Sequence, residues 1–213
     1  YIQNFGAPAI ETLIVILFHD LREDQFDDYP LTLEWLDKES GLSPESRAKI
    51  KRGILVLSEP SKEDLASAGL AGQDSFDLYL EGMIHPENDP RFEAEGLKAS
   101  DILPNELGDL QRIKLADILA NVGDMAQVFV ERDPERPMSE ADMAFPARYL
   151  NTIQTKVIPR LIQTSLLLSE KDRTDFYRSL EEILTKAIAS PQYEQTELPP
   201  HVLGVMQDFR QII

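Results

Sequence analysis

The stretch Asp109-Leu-Gln-Arg-Ile-Lys-Leu-Ala-Asp-Ile-Leu-Ala-Asn-Val-Gly-Asp-Met-Ala-Gln-Val-Phe129 decides the fold class. Leu110, Ile113, Ala116, Leu119, Val122, Ala126 and Phe129 fall three or four residues apart, the spacing that lines one side of an α-helix. The same spacing recurs outward from it. Pro8 stands where a first-turn proline belongs, and Ile10, Leu13, Ile14, Leu17, Phe18 and Leu21 predict a helix over about residues 8–24, its broad apolar face at the centre of the fold. Pro30 opens a second helix through Trp35 that Gly41 stops, and Ser43-Pro44 opens a third carrying Ile50, Ile54 and Leu57. Ser61 with Asp64 predicts a capped short helix ending near Gly69, and residues 74–84 read as a helix ended by Pro86. The prolines and scattered charges of residues 85–106 read as a long loop, mobile or bordering a site. After a further loop at residues 132–137, helices are expected around 143–168, kinked at Pro159, over 169–189, and beyond Pro200. Period-two alternation is almost absent, so the chain reads as all-α. We expect one helical-bundle domain over residues 1–213, with a core at about 5–160 and additional C-terminal helices at about 169–213.

Composition narrows the chemistry. Lys and Arg number 21 against 38 Asp and Glu, a net charge of −17, which repels nucleic acid and favours a small, buried site over a broad basic groove. A phosphorylated ligand then requires a metal ion or a local basic cluster. With no cysteine, disulfides, thiolate nucleophiles and Cys-based metal sites are excluded, and any metal must be held by His and carboxylates. The longest apolar run, residues 13–18, is far too short to span a bilayer, so no membrane association is expected. No signal peptide is visible at the opening, which starts at Tyr1 rather than Met and reads as incomplete; a cytoplasmic protein is expected.

Two segments carry ionisable groups in patterns suited to catalysis. His19 and Asp20 follow the most apolar turns of the first helix, and Glu23 and Asp24 come one turn later. A histidine with a carboxylate suits a divalent transition ion, and further carboxylates can orient or deprotonate a water. The plain alternative is a helix leaving its buried segment, with His19 at the boundary. On the later helix Lys114, Asp117, Asn121 and Asp124 form one polar stripe among apolar neighbours. Buried carboxylates ask for a partner, and His19-Asp20 across a helix contact supplies one; an exposed charged edge is the other reading.

Together the two segments resemble the RelA/SpoT-type HD-domain hydrolases. His19-Asp-Leu-Arg-Glu-Asp24 is similar to the family's H-D-x-x-E-D motif, and Lys114-Leu-Ala-Asp-Ile-Leu-Ala-Asn121 to its K-L-A-D-x-x-x-N helix. Gly53-Ile-Leu-Val-Leu-Ser58 resembles its G-V-x-x-L-T segment, and residues 79–84 its Y-x-x-x-I helix, so the likeness runs from about residue 5 to 158. The resemblance implies an all-helical fold holding one divalent metal, manganese first with iron or zinc as alternatives, and removal of the 3′-pyrophosphate from guanosine tetra- or pentaphosphate. It implies His19, Asp20 and Asp117 as metal ligands, Glu23 and Asp24 as the acidic pair that positions or activates water, and Asn121 as a substrate contact. Lys114 and Arg52, with Arg112 and Lys51 behind them, are candidates for phosphate contacts.

The chain departs from that family in places. The family's further metal-binding histidine lies on an earlier helix, ahead of Tyr1, together with its guanine-binding basic residues; His85, before Pro86, and His201, after Pro199-Pro200, are expected at the surface instead. Asp124 adds a negative charge beside Asn121 that disfavours a polyphosphate. No synthetase half is expected within these 213 residues. Phe176, Leu180, Ile183, Leu184 and Ile188 form an amphipathic helix expected to pack on the core, a homodimer contact being its other use. Three readings stay open: the guanosine 3′-pyrophosphohydrolase, another HD-type nucleotide phosphohydrolase or phosphodiesterase, and a degenerate HD domain that binds nucleotide or protein.

Overall fold

The computed structural model describes residues 9–24, 29–130 and 140–188, without the side chains of residues 23, 24, 128–130, 140–144, 147, 187 and 188. All regular structure among the described residues is helical, as the periodicity predicts. The helices are α1 (Ile10–Asp24), α2 (Tyr29–Lys38), α3 (Pro44–Leu57), α4 (Lys62–Ser67), α5 (Ser75–Ile84), α6 (Arg91–Ala94), α7 (Pro104–Val130), α8 (Glu140–Thr152) and α9 (Glu170–Ile188), with a π-helix over Ile153–Ile162 and 3₁₀ turns at Pro86–Asn88 and Ala99–Asp101. Among the described residues, none of these is long and apolar enough to cross a membrane. The expected helix start at Pro8 and the expected helix beyond Pro200 lie outside the described residues.

Contacts divide the chain into two compact units, residues 1–114 and 115–213. In the first, α1 packs chiefly on α3. Local chemistry starts these helices where the sequence says: Ser43 accepts from the Ser46 N–H with Pro44 in the first turn, Ser61 and Asp64 exchange bonds in a capping box, and Asp74 caps α5. Gly53 brings α1 and α3 together, since a Cβ there would stand 2.7 Å from a Val15 methyl and 3.4 Å from a Leu110 methyl. Ile50, Ile54, Leu57, Leu36, Leu80 and Met83 fill the core around that contact.

Three expectations for this unit are corrected. The α1 face is not central throughout: Ile10 is 57% and Leu17 71% exposed. Residues 85–106 are not a loop without structure, because they hold two 3₁₀ turns and α6. They also include the first turn of α7, which starts at Pro104 rather than Asp109. Arg91 organises the segment. Buried, it pairs with Asp89 at 2.7 Å and donates to the carbonyls of Ser58 (2.8 Å) and Leu55 (3.0 Å), satisfying acceptors at the C-terminal end of α3 that would otherwise be orphaned.

In the second unit Leu115, Ile118 and Val122 of α7 are buried, as are Leu150, Val157, Leu161, Phe176, Leu180 and Leu184. The buried side of α7 therefore runs through Leu115 and Ile118 rather than Ala116 and Leu119, which are half-buried. Pro159 does not kink a continuous α-helix. It lies inside the π-helix, where the Gln163 N–H reaches five residues back to Ile158 (3.0 Å); a proline lacks the N–H of an i to i−4 bond and its ring crowds that carbonyl, so the wider turn accommodates it. Arg173 then gathers the carbonyls of Ile162, Ser165 and Leu168, and Ser169 with Asp172 forms reciprocal bonds at the start of α9. The packing expected of Phe176, Leu180 and Leu184 is observed.

Candidate functional site

His19 stands one turn after Val15 on the side of α1 that meets α3, and is buried. Its Nδ1 lies 2.9 Å from the Ile16 carbonyl oxygen. A carbonyl only accepts, so this bond places a proton on Nδ1 and fixes the ring. Nε2 is then turned to Asp20, whose Oδ1 is 3.1 Å away. In the neutral ring two lone-pair-bearing atoms face one another, an arrangement that repels unless a proton or a cation stands between or beside them. A histidine tied through Nδ1 to a backbone carbonyl, with Nε2 open, has the form in which imidazole ligates metals. The Asp20 side chain remains 64% exposed, so the pair is reachable from solvent.

The support beneath this pair comes from Ser58, the residue that ends α3. Ser58, fully buried, sits with Oγ 2.7 Å from the Ile54 carbonyl and 3.1 Å from that of His19, so its single proton is shared between the two helices. One turn beyond His19, Arg22 is buried; its guanidinium bonds Glu95 and Asp64 (3.2 Å) and lies 5.0 Å from the centre of the Tyr29 ring. Four segments thus converge on one cation. Burial works against the charge of Arg22, but Glu95, Tyr29 and Asp64 outweigh it and leave the guanidinium held more firmly protonated than usual. The Tyr29 phenol is pushed up by burial and by Glu95, with Arg22 opposing. Arg22 and Ser58 lie within the motif segments but the sequence assigns neither a role, although Arg22 continues the Val15, His19 spacing of the buried face and that spacing is a signal. Glu23 and Asp24 end α1, and their side chains lie outside the described residues.

Lys114 sits with Nζ 5.1 Å from the centre of the buried Tyr79 ring, and the Tyr79 hydroxyl donates to the Leu57 carbonyl (2.8 Å). Arg52 is half-buried, and its Nε has no hydrogen-bond partner among the described residues. Lys51 is engaged by Asp37 (2.8 Å) and Arg112 by Asp109 (2.7 Å). His85 is exposed beside Glu87, as expected; His201 lies outside the described residues. A small cleft opens along Glu11, Lys49, Gly53 and Glu106, but its charged groups are already engaged, Lys49 by Glu106 and Glu11 by the Ser46 hydroxyl.

Asp117 and Asn121 belong to the second unit. The Asn121 amide donates to Asp117 Oδ1 (3.4 Å) and to the Tyr149 hydroxyl (3.3 Å). The stripe on α7 is less buried than its apolar neighbours suggest: Lys114 and Asp117 are half-buried, while Asn121 and Asp124 are exposed. The structure thus brings together His19 with Asp20, and Asp117 with Asn121, each within its own unit. Among the described residues no group of three His, Asp or Glu side chains is clustered for metal binding. Nothing in the sequence marks Tyr149, since no residue around it in the chain announces a partner on another helix. Comparison with family models, with curated proteins and with solved structures gives no match for this chain.

Proposed function

We propose that the chain is a metal-dependent phosphohydrolase that removes the 3′-pyrophosphate from guanosine nucleotides of the (p)ppGpp type, acting in the cytoplasm. The observation that carries this reading is the His19 ring, anchored through Nδ1 with Nε2 turned to Asp20. That donor set suits a divalent ion, manganese first and iron or zinc next, with Asp117 as the third ligand from this chain. When bound, the cation offsets phosphate charge and lowers the pKa of a water, which a chain of net charge −17 needs in order to accept a polyphosphate. Glu23 and Asp24 take the proton from the attacking water; Lys114, Arg52 and Asn121 hold the substrate. Water adds across the bond between phosphorus and ribose O3′, its hydroxyl to phosphorus and a proton to the ribose oxygen.

The test is to incubate the full chain with manganese and guanosine 3′,5′-bis-diphosphate and to separate the products. Release of pyrophosphate, lost in Asp24→Asn, supports the reading. Cleavage of other nucleotides alone moves the substrate within the reaction class. Nucleotide binding without metal or turnover replaces the enzyme by a binding module.

A further inference from the structure

On α8, Phe145 and Tyr149 stand one turn apart with ring centroids 6.2 Å apart and planes 24° from parallel. Phe145 is 56% exposed, while Tyr149 is half-buried and accepts a hydrogen bond from Asn121. A lone exposed ring needs no explanation. This one is stacked on a second ring whose hydroxyl is tied to a residue of the proposed site. Among the described residues the Asn121 amide nitrogen donates to Asp117 and to Tyr149 while its carbonyl oxygen takes no bond, so that oxygen is the atom placed to accept from a ligand.

Within one unit, then, a carboxylate, an amide, a phenol and an open apolar ring follow one another in space. A nucleotide bound by its phosphates has the same order: charged group, hydroxyl-bearing sugar, flat base. Resting on the hydrolase reading, we infer that Phe145 is the residue on which the substrate's base stacks, with Tyr149 as its rigid backing and Asn121 accepting from the sugar or base. Stacking on an aromatic side chain is tolerant of base identity, so Phe145 selects a nucleotide over a base-free phosphate rather than guanine over adenine.

The test uses the full chain with manganese and two probes, guanosine 3′,5′-bis-diphosphate and its base-free ribose counterpart. Phe145→Ala should raise KM for the nucleotide about 5- to 150-fold, the range that loss of one stacked base gives, with kcat within about twofold. The base-free probe should be unaffected and Phe145→Trp should restore KM. Because Phe145 is exposed, the helical circular dichroism of both variants should match that of the parent. An active parent whose KM is unmoved by Phe145→Ala, or moved equally for both probes, overturns the stacking role. A parent that neither binds nor cleaves either probe overturns the hydrolase reading first, a distinct result.

Discussion

Replacing Arg22 by Met removes the one cation at which α1, α2, α4 and residue 95 meet. The guanidinium bonds Glu95 and Asp64 (3.2 Å) and lies over Tyr29 at 5.0 Å. Breaking a buried pair by deleting one partner costs about 3–5 kcal/mol, because the remaining charge is left without compensation. Here two carboxylates are left, but their side chains keep 20% and 24% of their surface in water, which relieves part of the cost. Loss of the contact with Tyr29 adds about 0.5–2 kcal/mol. A net destabilisation of about 3 kcal/mol follows. Arg22→Lys keeps the charge but cannot reach both carboxylates in one fork, and should lose about half as much. The exposed pair Lys38–Glu34 supplies the control, where Lys38→Met should change stability by less than about 1 kcal/mol. Urea unfolding followed by the fluorescence of Trp35, the only tryptophan, reads the first unit directly. An Arg22→Met protein within about 0.5 kcal/mol of the parent would refute the reasoning, since a solvent-exposed pair would then explain it equally well.

Gly53→Val should destabilise by about 1–3 kcal/mol through overpacking against Val15, whereas Gly123, where an added Cβ meets no atom within 4 Å, should tolerate Ala; thermal melts of the two variants decide. Arg91→Met should cost about 3–5 kcal/mol, because it leaves the nearly inaccessible Asp89 without its counter-charge and takes the side-chain donors away from the Leu55 and Ser58 carbonyls, and a denaturation midpoint equal to the parent's would contradict the capping role. The Tyr29 and Tyr177 phenols are both raised above the ordinary value of 10.0, burial being the largest cause in each, so the folded chain retains their protons to higher pH than the unfolded chain. That contribution is fully present below pH 10.0 and is lost as pH rises through the folded values, so stability should fall in alkali, and less steeply in Tyr29→Phe; absorbance titration of the phenols checks the order.

What can be read from the sequence is what neighbours in the chain decide. Ser43-Pro44, Ser61 with Asp64, and Asp74 start helices through bonds to residues three positions away, so their reading needs no tertiary information. The order in residues 85–106 is not legible because it comes from Arg91 reaching back to carbonyls at Leu55 and Ser58. The exposure of Asn121 and Asp124 is hidden for a related reason: apolar neighbours one position away on a helix point elsewhere, and only packing decides which side closes. At the candidate site the types His19 and Asp20 are legible, while the ring orientation set by Ile16 and the shared proton of Ser58 are not. Tyr149 escapes because its link to Asn121 spans two helices.

The proposed function rests on one divalent ion held by His19, Asp20 and Asp117, a ligand set proposed from the sequence motifs. Manganese titration of the full chain, followed by the electron paramagnetic resonance of free ion, tests it in the parent, His19→Ala and Asp117→Ala. One site per chain is expected, weakened about tenfold or more in each variant. An Asp117→Ala chain that binds manganese as tightly as the parent would contradict it.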